Sequence, residues 1–278
     1  MRSDSLFHVF RNTPFGRDTF LQSAYFARQV RVSITAYIPR HNQFLMYFPH
    51  RAVTVDLGRE YLFDPGTAKA HVEALAEETG SETRFLKPTD FTALELPDIP
   101  VDFRYMSCPR SISDLSTKIG MGYIGPKVRQ IIQHAGFPVL IPTSVFKPWN
   151  RIIVFFGGSK NAFRAVSAAL ALHQRTGFPI CLFTRASSGK SKAYYEELLD
   201  GHRLLEPLRA AHMSWLFFSK GRFSKLLYEV PSDALVVVGA YGHGAIKEVL
   251  FGSKMEAIQT VLPNNMLVIG PSASIALQ

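Results

Sequence analysis

Short apolar runs alternate with longer stretches of helical period along this chain, and the alternation is clearest from residue 151 onward. Residues 151–156, Arg-Ile-Ile-Val-Phe-Phe, are apolar after the first position, too short for a stable helix and rich in β-branched and aromatic side chains, which predicts a strand buried on both faces. Gly157-Gly158-Ser159 then turns the chain, and residues 161–174 predict a helix with Phe163, Val166, Leu170 and His173 on one face, ended by Gly177. The same alternation predicts strands at 179–184, 213–218, 234–238 and 266–269, and helices at 191–205, 223–230 and 254–262, the last two closed by Pro231 and Pro263. Strands that alternate with helices pair in parallel through right-handed crossovers, so a doubly wound α/β sheet is expected.

Residues 1–150 repeat this plan more weakly. Strands are predicted at 6–10, 32–37, 82–86, 101–106 and 138–141, helices at 17–30, 65–79 and 126–135, and an insertion at 43–63 with a hairpin through 52–55. The length suits two domains at roughly 100–200 residues each. A linker, Pro142-Thr-Ser-Val-Phe-Lys-Pro-Trp-Asn150, separates 1–142 from 150–278. The expectation is therefore two tandem doubly wound, Rossmann-like parallel-sheet domains.

Composition narrows the function. The longest apolar runs fall far short of the roughly 20 residues that cross a bilayer, and the first residues, Met-Arg-Ser-Asp-Ser-Leu-Phe-His, carry no apolar signal-peptide core. Cys108 and Cys181 are far apart in apolar surroundings, which suits two buried thiols and a reducing cytoplasm. The net charge of +9 divides unevenly: 17 − 14 = +3 over residues 1–150 and 14 − 8 = +6 over 151–278. These charges are dispersed, with no basic run or zinc-finger spacing to mark a nucleic-acid site. A positive field that gathers a small polyanion fits them equally well.

The candidate chemistry lies in Gly239-Ala-Tyr-Gly242-His243-Gly244 and in Gly252-Ser253-Lys254, placed between the fourth strand and the last helix of the second half. Glycines admit an anion to backbone N–H groups, and a helix that starts at Ser253 turns its positive dipole end toward the same place. The spacing G-x2-G-x9-G-S between two apolar strands resembles the nucleotide-binding signature of the universal stress protein family. No G-K-[ST] follows, so this is not a Walker A loop, and the Rossmann G-x-G-x-x-G fingerprint is missing too. Glycines that only permit tight turns and close helix–sheet contacts are the structural alternative.

The resemblance implies binding of an adenine nucleotide (ATP, ADP or AMP), with magnesium, in a stress-response role with little or no hydrolysis. It further implies an intramolecular pairing of the two domains or a homodimer, and an unidentified protein partner. A nucleotide-free protein-interaction module of the same fold is the alternative. The family's nucleotide binders place an Asp after the first strand, where this chain has Gly157, followed by Gly158 and Ser159, whose N–H groups or hydroxyl could serve instead. Thr184 falls where the family contacts adenine through backbone. Lys160, Lys247, Lys254 and His243 could reach phosphate or ribose, whereas His173, His202 and His212 stand singly. Gly157 to Asn161 is also similar to the pyrophosphatase loop of adenylating enzymes, but Phe156, Lys160 and Asn161 break that pattern. No nucleophile elbow, paired carboxylates, HExxH or CxxC occurs.

Internal similarity points to duplication. Gly125-Pro-Lys-Val-Arg-Gln-Ile-Ile matches Gly252-Ser-Lys-Met-Glu-Ala-Ile-Gln in position before the last strand of each half. In the first copy Ile112 and Leu115 stand for Gly239 and Gly242, and Pro126, which has no N–H to offer a phosphate, stands for Ser253. The first domain is expected to be degenerate and the second to carry the nucleotide site.

Overall fold

The computed structural model describes residues 3–49, 51–88, 95–110, 112, 123–240 and 253–274. It divides into two compact units, Met1–Pro148 and Trp149–Gln278.

In the second unit the strands are β9 (Arg151–Phe155), β10 (Ile180–Arg185), β11 (Ser214–Phe218), β12 (Ala234–Gly239) and β13 (Met266–Ile269). They hydrogen-bond in the order β11-β10-β9-β12-β13, all parallel, with Val154 opposite both Leu182 and Val237. Ile152, Val154, Val236, Val237 and Leu267 are wholly buried. This is why the strand sequences are continuous apolar runs rather than alternating ones. The intervening helices are α4 (Lys160–Thr176), α5 (Lys192–Gly201), α6 (Leu205–Ala210), α7 (Phe223–Leu226) and α8 (Ser253–Val261). At the start of α4, Ser159 Oγ accepts from the Ala162 N–H at 3.2 Å, and Gly177, at φ +70°, ends the helix in the left-handed conformation that glycine adopts without strain.

The helix predicted at 191–205 is two helices. α5 stops at Gly201, Arg203 adopts φ +56°, and α6 begins at Leu205. Pro207 explains the break: in the first turn of a new helix its missing N–H costs nothing, whereas in a continuous helix it would forfeit a bond and clash with the preceding turn. The apolar phase runs through both segments and hides the break.

The first unit has its own parallel sheet, in the order β8 (Val139–Ile141), β7 (Phe103–Ser107), β1 (Ser3–Val9), β2 (Ser33–Tyr37), β5 (Thr83–Phe85). Its helices are α1 (Pro14–Val30), α2 (Pro65–Thr79) and α3 (Pro126–His134). α1 starts three residues earlier than its periodicity predicts: Thr13 caps the Gly16 N–H at 3.1 Å and Pro14 takes the first helical position. The insertion forms an antiparallel hairpin, β3 (Gln43–Phe48) and β4 (Arg51–Asp56), longer than expected. It is joined by a two-residue parallel strand, β6 (Asp98–Ile99), too short to leave any period in the sequence.

Candidate functional site

In a doubly wound sheet the crevice outside the carboxyl ends of the strands opens where the connections reverse direction. In the second unit the chain runs from β9 to β10 and β11 on one side, then crosses to β12 and β13 on the other, so the reversal lies between β9 and β12. Gly157 leaves the end of β9 and Gly239 ends β12, so both flank this point. Gly158 and Ser159 follow Gly157 into α4.

These residues differ in what they do there. A Cβ on Gly239 would lie 2.3 Å from the Asn161 carbonyl oxygen and 2.9 Å from the Ala162 nitrogen, so this glycine is required for close packing of α4 against β12. Asn161 locks the same contact: buried, it donates from Nδ2 to the Ala240 carbonyl and accepts at Oδ1 from Arg164 Nη1 at 2.9 Å. Arg164 also donates to the Pro271 carbonyl after β13. Gly158 has φ +76°, and a Cβ would meet Leu198 Cδ1 at 2.9 Å. Gly157 has neither constraint. Among the described residues nothing lies within 4 Å of where its Cβ would be, and its φ falls outside the left-handed region.

Ser159 is committed as the cap of α4, although its own hydroxyl proton remains available to donate. Thr184 is wholly buried; its Oγ1 donates to the Phe156 carbonyl at 2.9 Å and accepts from Trp215 Nε1 at 3.0 Å. Its side chain therefore ties the end of β10 to β9 and is closed to a ligand.

From the far side, Lys254, in the first turn of α8, places its ammonium 5.8 Å from the centre of the Phe223 ring. That ring in turn sits edge-on to Phe155 and Phe183, each 6.1 Å away, at the ends of β9 and β10. A cation is thus brought over an aromatic cluster at the strand ends that carry Gly157 and Thr184. Lys160 is exposed on α4. The aromatic cluster was missed in the sequence because each ring reads as ordinary strand or helix core. Its signal is that Phe155 and Phe183 fall level with one another in adjacent parallel strands. Gly242, His243, Gly244, Lys247 and Gly252 lie outside the described residues, as does the side chain of Ser253.

Two of the three lone histidines make structural contacts. His173 Nδ1 lies 2.8 Å from the Phe178 carbonyl, and the His202 ring stacks on Phe163 at 3.5 Å. Cys108 is buried, and burial pushes its thiol well above the usual range, whereas Cys181 is only half-buried, unlike the expectation of two buried thiols. Among the described residues, no cluster of three His, Cys, Asp or Glu could hold a metal, and no helix is long and apolar enough to cross a membrane.

No protein-family model matches the chain, and no curated protein matches it in sequence. Solved structures do. A universal stress protein from Archaeoglobus fulgidus aligns over 97% of this chain and 99% of its own at 15% identity, with a TM-score of 0.63. A protein from Pseudomonas aeruginosa described as a putative universal stress protein aligns over 97% and 94% at 10% identity, with a TM-score of 0.58. A functionally unknown protein from Pseudomonas aeruginosa aligns over 97% and 93% at 10% identity, with a TM-score of 0.55. At these identities the shared feature is the fold, and it extends along nearly the whole chain.

Proposed function

We propose that the chain is a tandem universal stress protein whose second unit binds an adenine nucleotide, and that binding biases conformation or partner choice with little or no hydrolysis. The observation that supports this is the make-up of the reversal point of the second sheet. Among the described residues nothing stands where a side chain on Gly157 would be, and Lys254, in the first turn of α8, sets a positive charge against Phe223, whose ring packs on Phe155 and Phe183 of the neighbouring strands. The run G-x2-G-x9-G-S begins at Gly239, the last residue of β12, and closes at Ser253, the first residue of α8. Phosphates would be held by N–H groups of Gly242, Gly244 and Gly252, by the start of α8 and by Lys254, with His243 toward the ribose and backbone near Thr184 toward the base. Gly157 brings no carboxylate, so magnesium would take its ligands from the phosphates and water, and a general base for hydrolysis is not supplied from this position.

The first unit is then the degenerate copy, with Pro126 where the second has Ser253. The cytoplasm is the proposed compartment, and pairing of units within one chain or between two copies the proposed assembly. One observation favours the nucleotide-free interaction module instead: Gly239 is explained entirely by its contact with Asn161.

Two measurements decide between these. The small molecule released when purified protein is denatured should have the absorbance and mass of an adenine nucleotide. Gly242→Val and Gly252→Val should each weaken ATP at least about tenfold, about 1.4 kcal/mol, with unchanged circular dichroism, because a side chain would obstruct the N–H groups. Binding that survives both substitutions favours the interaction module.

A further inference from the structure

The first unit has a reversal point of its own, between β1 and β7, because its chain runs from β1 to β2 and β5 before crossing to β7 and β8. The helix caps align the two crevices: Phe10-Arg11-Asn12-Thr13 leads into α1 as Phe156-Gly157-Gly158-Ser159 leads into α4. Arg11 therefore occupies the place of Gly157. Where the second unit is open, the first presents a guanidinium.

Two polar groups at this end of the sheet are buried without a hydrogen-bond partner among the described residues: Arg11 Nε and the Tyr61 hydroxyl, on a tyrosine only 2% exposed. The Arg11 guanidinium lies 5.6 Å from the centre of the Tyr61 ring. Burial raises the Tyr61 hydroxyl far above its ordinary pKa, and the charge of Arg11 acts against that rise. Arg11 follows β1, so the Tyr61 ring stands against the end of that strand.

A buried group that can only donate leaves its desolvation uncompensated unless an acceptor arrives. Among the described residues the carboxylate bridged to Arg11 is that of Glu60, at 3.6 Å, too long for a hydrogen bond, and with its side chain 44% exposed. Water would satisfy the hydroxyl but would leave the guanidinium with only the long Glu60 contact as its counter-charge. An oxyanion satisfies both.

We propose that the β1–β7 crevice of the first unit is a receptor for a small oxyanion, a phosphate or carboxylate group, held by Arg11 and the Tyr61 hydroxyl. It is distinct from the nucleotide site proposed for the second unit and does not depend on it. The crevice that lost its glycines has changed ligand class, from one held by backbone N–H groups to one held by a guanidinium.

The test is equilibrium dialysis of the full chain with radiolabelled inorganic phosphate, and separately with radiolabelled acetate, in a Gly242→Val background so that phosphate cannot use the second unit. One site per chain is expected for at least one of the two anions, and which anion binds assigns the ligand group. Arg11→Gln should weaken that binding at least about tenfold. Tyr61→Phe should weaken it about threefold or more while leaving the anion-free Tm unchanged or higher, since it removes a buried hydroxyl that has no partner. A tyrosine that only fills space would leave anion binding unchanged in Tyr61→Phe. Failure of both anions to bind, or unchanged binding in Tyr61→Phe and Arg11→Gln, overturns the proposal. Neither result bears on nucleotide binding, which is read separately in the Gly242-intact chain.

Discussion

The two crevices are built by the same backbone route and differ in what fills the turn after the central strand. In the second unit that turn is Gly157-Gly158, and among the described residues nothing stands within 4 Å of where a Cβ on the first of these glycines would be. In the first unit it is Arg11-Asn12, with Asn12 Oδ1 3.1 Å from His71 Nδ1 and Arg11 against Tyr61. Both turns end in a hydroxyl cap of the following helix, Thr13 or Ser159, so the fold is indifferent to the change. The backbone fixes where a ligand can sit, and one or two side chains decide what sort of ligand it is.

The cores differ as well. Directly beneath its crevice the first unit buries a titratable group, His8, whose Nδ1 lies 3.0 Å from Ser23 Oγ, itself 2.7 Å from Ser107 Oγ. His8 Nε2 has no partner, and burial lowers the pKa of the ring from 6.5 to about 3. The folded unit therefore keeps His8 neutral where the unfolded chain protonates it. Stability from this group is complete above about pH 6.5 and is lost as pH falls toward 3, at about 1.4 kcal/mol per pH unit, or about 4–5 kcal/mol in all. Denaturant unfolding at pH 7 and pH 4 should show the first unit weakening by several kcal/mol. His8→Leu should remove most of that pH dependence, and an unchanged slope in that variant would assign the acid sensitivity to carboxylates instead.

The next largest contrast lies within the second crevice, between two glycines that look alike in sequence. Gly239→Ala forces a methyl into the backbone of α4 and should cost about 1–3 kcal/mol of stability. Gly157→Ala meets nothing and should change stability by about 0.5 kcal/mol or less. Equal costs at the two positions would mean that the packing of α4 on β12 is looser than it stands here.

A smaller effect tests recognition of the base. With no carboxylate at Gly157, the phosphates should supply most of the affinity, so GTP should compete with ATP to within about tenfold, about 1.4 kcal/mol, and affinity should fall with added salt. The open space at Gly157 accommodates Gly157→Asp, which should shift preference toward ATP. Wild-type protein that already prefers ATP more than a hundredfold would show that backbone near Thr184 alone reads the adenine.

Much of this was legible in the sequence, for identifiable reasons. Parallel strands buried on both faces leave continuous apolar runs, so β9 to β13 could be placed to within a residue or two. Gly239 could be found but not understood, because its role depends on the backbone of Asn161, 78 positions earlier in the chain. Arg11 was not singled out, because the period of α1 begins at residue 17. Only the cap at Thr13 and the proline after it reveal that the helix starts at 14 and that Arg11 is the counterpart of Gly157. The break between α5 and α6 was hidden for the opposite reason, since the apolar phase runs straight through it.

The contrast between the crevices is tested most directly by the stoichiometry of nucleotide binding. Calorimetric titration of the full chain with ATP, ADP and AMP should give one site per chain, abolished by Gly252→Val in the second unit and unaffected by Arg11→Gln in the first. A clear value of two, or a single site that Arg11→Gln destroys, would contradict the account.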